Sequence, residues 1–291
     1  MEKQYMPILG LSIIAESIND SIPSTKELFD RGDIGAIVEL ARSQAQAGAA
    51  YIDVNVGSRE PAFMAEVVVA IQAAVSVRLS IDSPSFDIQA AAFAAYDKDR
   101  AGGMPVVNSV SELRPDFFEL NTIIPCMPIL MCTERLENSG PMPNKTAPEI
   151  HATAQRLAAA ANAQGIPNER LIIDPGLAPI GADYEYLTKA TLGAMALIHS
   201  DPILNGVHMS VGLSNFTQML PPKRKDGGLV KTPLESAFIT LAMPRGLDHV
   251  IGSMRKKYRI LSPGDEALMA LNEAIVAGGM DTIARIKKFY K

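Results

Sequence analysis

The chain has 291 residues, with 27 Lys and Arg against 32 Asp and Glu, a formal net charge of −5, 47% hydrophobic residues and 20% charged ones. Its mild acidity, 5% aromatic content and lack of Trp supply neither the positive charge that phosphate backbones need nor the platforms on which unpaired bases stack, so nucleic acid is excluded as a partner. No run approaches the ~20 apolar residues of a bilayer span, and residues 1–5 lead only into a short apolar stretch; the expectation is a cytoplasmic protein with no membrane contact.

Short β-type runs alternate with longer helical patterns from end to end. Strands are predicted at 8–15, 51–54, 78–81, 105–107, 128–131, 171–173, 208–211 and 249–251. Between and after them, helical spacing of apolar residues predicts helices over 34–47, 62–75, 85–96, 148–163, 184–199, 233–243 and 263–277, with a weaker segment near 115–120. Several open on Ser, Thr, Asp or Pro and close on Gly, the cap asymmetry of helices.

Length alone fits two domains of roughly 150 residues, but a β/α barrel takes roughly 250 as one. Eight strand-then-helix units with no compositional break or linker predict α/β architecture: a (β/α)8 TIM barrel forming a single domain over residues 1–291. The alternative, an open doubly wound sheet, lacks its usual marks. Gly102-Gly103 and Gly227-Gly228 are isolated pairs, and no GxxxxGK[ST] loop occurs.

Barrel enzymes build their sites at the C-terminal ends of the strands. There the sequence places Glu16-Ser17-Ile18-Asn19, Asp53-Val54-Asn55-Val56-Gly57, Asp82-Ser83, Asn108-Ser109, Asp174-Pro175-Gly176 and Gly212-Leu213-Ser214-Asn215. Any one of these also serves as an Asx turn or helix N-cap, but six on one rim point to a binding site. A ring of carboxylates and carboxamides with little positive charge suits a neutral heterocycle that presents adjacent N–H donors, since an ionised Asp accepts from two of them and Asn matches an amide edge. A pterin is such an object.

These motifs, in this order, resemble those of pterin-binding methyltransferases, and most closely methyltetrahydrofolate:corrinoid protein methyltransferases, including the tetrahydrofolate-side enzymes of corrinoid-dependent demethylase systems. The resemblance runs from about residue 8 to about residue 277. It implies a barrel, commonly a homodimer, that moves a methyl group between a corrinoid (methylcobalamin) protein and N5 of tetrahydrofolate in one-carbon metabolism. The folate is then the substrate, the cobalamin arrives on the partner protein, and no metal is held by the barrel. Carried over by position, Asp82, Asn108 and Asp174 hold the pterin, Asn215 sits beside N5 as the catalytic group, and Gln218 touches the folate. Glu16, Asn19, Asp53 and Asn55 match the first- and second-strand motifs and are read mainly as support of the site.

The stretch from Pro221 to Lys231 carries four cations and one Asp. It reads as a solvated loop or as a contact for the folate's glutamate tail or for an acidic partner, with Lys223 and Lys231 the candidates for the tail. His151, His199, His208 and His249 are scattered without zinc-ligand spacing, Cys126 and Cys132 read as reduced buried thiols, and the 14 Met residues read as core fillers. Dihydropteroate synthase is the nearest rival by resemblance, but its Ser-Arg-Lys and Arg-x-His motifs are replaced by Ser214-Asn215-Phe216 and His249-Val250-Ile251-Gly252. A barrel that only binds folate within a corrinoid assembly is the rival from another class.

Overall fold

The computed structural model describes residues 7–291, so the leading residues 1–5 fall outside the described part. The strands are β1 (Ser12–Asn19), β2 (Tyr51–Asn55), β3 (Arg78–Asp82), β4 (Val106–Val110), β5 (Met127–Met131), β6 (Glu134–Glu137), β7 (Gly140–Pro143), β8 (Ile172–Asp174), β9 (His208–Met209) and β10 (His249–Gly252). All but β6 and β7 join one parallel sheet in the order β10-β1-β2-β3-β4-β5-β8-β9. The ends of that sheet meet: Asp248 N–H donates to the Met209 carbonyl at 3.3 Å, Ile251 N–H donates to the Val211 carbonyl at 2.9 Å, and Gly212 bridges Ile251 in parallel. The fold is the expected (β/α)8 TIM barrel.

The outer layer consists of α1 (Pro23–Asp30), α2 (Ile34–Gln46), α3 (Pro61–Ala74), α4 (Phe86–Ala95), α5 (Leu120–Ile123), α6 (Ala147–Ala163), α7 (Leu187–Ser200), α8 (Leu213–Phe216), α9 (Lys231–Ala242), α10 (Glu266–Ala277) and α11 (Gly279–Tyr290). The caps follow local chemistry. Thr146 and Glu149 form a reciprocal capping box at α6, Asp33 caps α2, and Asp265 caps α10. None of the helices is long and apolar enough to cross a membrane among the described residues.

Three sequence expectations are corrected. The first strand begins at Ser12, not residue 8, because Gly10 at φ +80° turns the chain and Leu11 N–H closes back on the Ile8 carbonyl. Glu16 and Asn19 therefore lie within the strand rather than after it. The weak segment near 115–120 is a 3₁₀ turn (Pro115–Glu119) running into α5, and α1, α11 and the β6–β7 hairpin went unforeseen. Finally, Met64, Met195 and Met209 fill the core as expected, but Met219 and Met280 are exposed.

Two cores divide the apolar residues by strand parity. Ile14, Tyr51, Val106, Met127, Ile129 and Ile172 form a small cluster of their own, whereas Ile52, Val54, Leu79, Ile81, Val107 and Ile173 join the large core that includes the helices. Period-2 alternation thus sends one set into the barrel and the other against the helices. Above the small inner cluster the same inward parity delivers polar residues, and there the site begins.

Candidate active site

A cavity of about 500 Å³ opens at the C-terminal mouth of the barrel, and its lining includes Glu16, Asp53, Asp82, Asn108, Asp174 and Asn215. Strand parity explains the deep members. Asp53 and Ser80 face each other at the same height of β2 and β3, and the Ser80 hydroxyl donates to Asp53 Oδ1 at 2.6 Å. Two register shifts bring in others. Ile14 and Glu16 face inward by plain alternation; between Ala15 and Ile18 the β1–β2 pairing slips, so that Ile18 joins the outer core and Asn19 faces the cavity. Between Val107 and Val110 the β4–β5 pairing slips as well, and both Asn108 and Ser109 line the cavity. Such irregularities re-aim side chains beside functional sites.

The carboxamides are tied to carboxylates. Asn108 Nδ2 donates to Asp53 Oδ1 at 3.1 Å, and Asn55 Nδ2 donates to Asp82 Oδ2 at 2.8 Å, while Asn55 Oδ1 accepts from the Gly57 N–H. With its amide committed to Asp53, Asn108 has its oxygen left for a ligand. Burial, followed by repulsion from Asp82, raises the Asp53 carboxyl well above its ordinary range, so Asp53 is the member of the pair that favours the protonated form. Asp82 is itself raised by burial, against the hydrogen bond from Asn55 and the charge of Arg114.

Asp174 ends β8 and is buried. Its Oδ1 accepts the Gly176 N–H at 2.7 Å, and burial pushes its carboxyl up to about 6 despite that bond. The turn needs glycine at position 176: φ is +81°, and a Cβ there would fall 2.4 Å from Thr133 Cγ2. Asn215 lies on α8 at the rim, folded so close to Gly212 that a Cβ on that residue would stand 2.8 Å from Asn215 Nδ2. Glu16 accepts a short hydrogen bond from the Ser214 hydroxyl. Burial raises its carboxyl, opposed by that bond and by Lys256.

Of the remaining sequence candidates, one reaches the cavity and the others do not. Asn19 lines the cavity and also accepts from Ser21 N–H in an Asx turn, so both readings of that residue apply. Asn55 lies behind Asp82 rather than in the lining. Gln218 is exposed and outside the lining, with its backbone carbonyl meeting Lys231 Nζ at 3.4 Å. Lys223 and Lys231 also lie outside the lining. Arg114 is the cavity cation that sequence reasoning missed. It donates to Ser109 Oγ at 3.2 Å and stacks over Phe117 at 5.2 Å, and its one signal was being the first cation after the fourth strand.

At the opposite end of the barrel, two histidines read as scattered come together. Asp248 accepts from His208 Nδ1 at 2.6 Å and from His249 Nδ1 at 2.8 Å, and these three are the one His/Cys/Asp/Glu group among the described residues close enough to hold a metal. They begin β9 and β10, far along the strands from the mouth, and sequence spacing is blind to a pairing made by barrel closure. Cys126 and Cys132 are free and buried, as expected; burial pushes the Cys126 thiol up to about 12 and the Cys132 thiol well above its usual value.

The family model described as pterin binding enzyme matches residues 19–252. Over 249 residues the chain is 28% identical to the methylcorrinoid:tetrahydrofolate methyltransferase of Eubacterium limosum, covering 82% of this chain and 83% of that protein. Among solved structures, dihydropteroate synthase from Xanthomonas albilineans in complex with 7,8-dihydropteroate superimposes with a TM-score of 0.54 at 18% identity, covering 90% of this chain and 92% of that one. The same synthase with 4-aminobenzoic acid gives a TM-score of 0.55 at 21% identity, covering 92% and 90%. These two likenesses speak to the fold. Together with the acceptor-lined mouth, the match over residues 19–252 makes the chain a member of the pterin binding enzyme family.

Proposed function

We propose that the protein transfers a methyl group between a corrinoid carried by a partner protein and N5 of tetrahydrofolate. The observation that carries this reading is the composition of the mouth: acceptors on Asp82, Asn108 and Asp174 surround the cavity, and the Asn215 carboxamide stands at its rim. The three acceptors suit the N–H edge of a pterin, which supports the folate as substrate. The printed activity of the 28% identical relative points the same way.

In the direction from methylated corrinoid to folate, the N5 lone pair forms the new C–N bond. The C–Co bond breaks with its electron pair left on cobalt, and N5 gives up a proton. In reverse, N5 must gain a proton, because an unassisted amide anion is a poor leaving group. A carboxamide that hydrogen-bonds N5 in the transition state lowers that barrier, and this is the role proposed for Asn215. The partner must align its carbon with N5 across the open mouth. Leu113, Tyr184, Met219 and Leu229 on loops that follow the barrel strands, and Leu136 and Met142 on the β6–β7 hairpin, are exposed, apolar groups available to a docking protein. The homodimer implied by resemblance forms part of the same proposal and is measured by light scattering.

The structure offers an argument against the synthase alternative. A diphosphate leaving group needs positive charge, and the lining holds Arg114 against Glu16, Asp53, Asp82 and Asp174. His249 is buried at the other end of β10 beside Asp248. The deciding assay mixes protein, tetrahydrofolate and methylcob(III)alamin without oxygen and follows absorbance. Protein-dependent formation of cob(I)alamin with methyltetrahydrofolate supports the proposal. Folate binding without any transfer, repeated with corrinoid proteins, would leave a barrel that only binds.

A further inference from the structure

The methyl transfer proposed above requires a proton to enter or leave at N5 in each turnover, and a carboxamide neither stores nor releases one. A docked partner would cover the mouth, so a proton route that does not run through the mouth has value. A second cavity of about 400 Å³ lies on the flank of the barrel; Ile22, Leu28 and Leu40 form its apolar wall, and Ser17, Ser24, Thr25, Ser253, Arg255 and Glu16 its polar one. Ser24 and Arg255 are exposed, so this cavity reaches the surface between α1 and the chain after β10. Glu16 is the residue common to it and to the mouth cavity.

Glu16 faces inward by the same alternation as Ile14, just before β1 changes parity. Its carboxylate accepts the Ser214 hydroxyl, next in sequence to Asn215. We propose that Glu16 is the acid and base of the methyl transfer, exchanging the N5 proton with solvent through the hydroxyl-lined flank cavity. This inference rests on the methyl-transfer reading. When N5 of tetrahydrofolate takes the methyl group, the N5–H bond breaks and its proton passes to the Glu16 carboxylate, then to water in the flank cavity. In reverse, the Glu16 carboxyl gives N5 the proton as the C–N bond breaks and cob(I)alamin takes the carbon.

The neighbourhood suits a group that changes charge. Glu16 feels Asp53 on β2, Glu235 on α9, and Lys256 and Tyr258 in the chain after β10. Lys256 is held by Glu235, donating at 2.6 and 2.8 Å to its two oxygens, so that cation is already matched by a carboxylate that also accepts from Thr217. Burial raises the Glu16 carboxyl from its ordinary value, moving its titration toward the neutral range where an acid–base group is most useful.

The test compares wild type with Glu16→Gln, Glu16→Asp and Glu16→Ala, using tetrahydrofolate with methylcob(III)alamin for one direction and methyltetrahydrofolate with cob(I)alamin for the other. Glu16→Gln keeps the acceptor for Ser214; its folate affinity is expected to stay within about 3-fold while transfer slows about 100-fold. Wild type should slow with falling pH toward folate methylation and with rising pH in reverse, and Glu16→Gln should lose both limbs. Glu16→Asp should recover part of the rate, and formate should rescue Glu16→Ala, as it would not if the side chain only supported packing. A Glu16→Gln protein with wild-type rates and pH profile overturns the inference and leaves the methyl-transfer reading intact. So does a loss of rate matched by an equal loss of folate affinity, without formate rescue. A wild-type chain that binds folate and transfers no methyl group, with free or protein-bound corrinoid, overturns both.

Discussion

Asn55 Nδ2 donates to Asp82 Oδ2 across 2.8 Å, joining the last residue of β2 to the last residue of β3. Asn55 Oδ1 accepts the Gly57 N–H and the residue stays outside the cavity lining, so it acts on a ligand through the carboxylate it holds. The bond also favours the ionised form of Asp82 against the burial that raises it.

Asn55→Ala should therefore weaken folate binding without removing any group that touches it. Loss of one hydrogen bond to a charged partner, about 1.5–3 kcal/mol, would raise Kd by roughly 10-fold or more. The loss should be largest at low pH, where Asp82 is then more readily protonated. Titration calorimetry across pH 5–8 checks it, and a pH-independent change would place Asn55 in direct contact instead.

Asp174 has its carboxyl raised to about 6 by burial, and as a carboxylate it accepts from two adjacent N–H groups. Folate affinity of the wild type should accordingly fall as pH drops through about 6. Asp174→Asn should bind roughly 10- to 100-fold more weakly at pH 7.5, as a buried donor edge loses its charged acceptor, and should lack that pH step. Fluorescence titration measures both.

Asn215 stands at the rim on α8, with its side chain packed against the backbone of Gly212. Asn215→Ala should slow methyl transfer at least about 100-fold while folate affinity changes by a few-fold, the pattern of a contact made in the transition state. Gly212→Ala should do the same less severely, by displacing the carboxamide. Equal losses in rate and affinity would make Asn215 a binding residue only.

At the far end of the barrel, Asp248 clips β9 to β10. Burial pushes its carboxyl up, but the hydrogen bonds from His208 and His249 outweigh that and leave it well below the ordinary range, while the bond to Asp248 raises His208 above its own. The lowered carboxyl stabilises the fold above its unfolded pKa of about 4 and stops doing so as pH falls through the folded value. The raised imidazole contributes fully below its unfolded pKa of about 6.5 and loses that contribution as pH rises through the folded value. The clip is strongest between those limits. Both side chains are about a third exposed, which trims the effect, so Asp248→Asn should cost on the order of 1 kcal/mol near pH 5.5. The difference in Tm between wild type and variant should shrink by pH 9, and a constant difference from pH 5 to 9 would remove the charge from the account.

Strand parity was legible in the sequence. Tyr51-Asp53-Asn55 and Arg78-Ser80-Asp82 alternate with Ile52, Val54, Leu79 and Ile81, so an inner polar face and an outer apolar one follow from the residues themselves. The β6–β7 hairpin was not legible, because Glu134–Glu137 and Gly140–Pro143 carry neither an apolar face nor a two-residue turn of the usual Asn-Gly kind. Arg114 was hidden for a different reason: a single cation in a loop has no period, and only the stacking on Phe117 and the bond to Ser109 bring it to the cavity.

By itself the sequence determined the alternation of strand and helix, the caps, the eightfold count and the placing of Asp82, Asn108 and Asp174 near strand ends, since each depends on neighbours a few residues apart. Only the tertiary structure decided which side chains share one space. The slips in β1 and β4 put Asn19 and Ser109 into the mouth beside Glu16 and Asn108, and closure of β9 on β10 joined His208 and His249 through Asp248. Both depend on hydrogen-bond register between segments far apart in the chain, and a one-residue change of register turns a side chain from one face of a strand to the other.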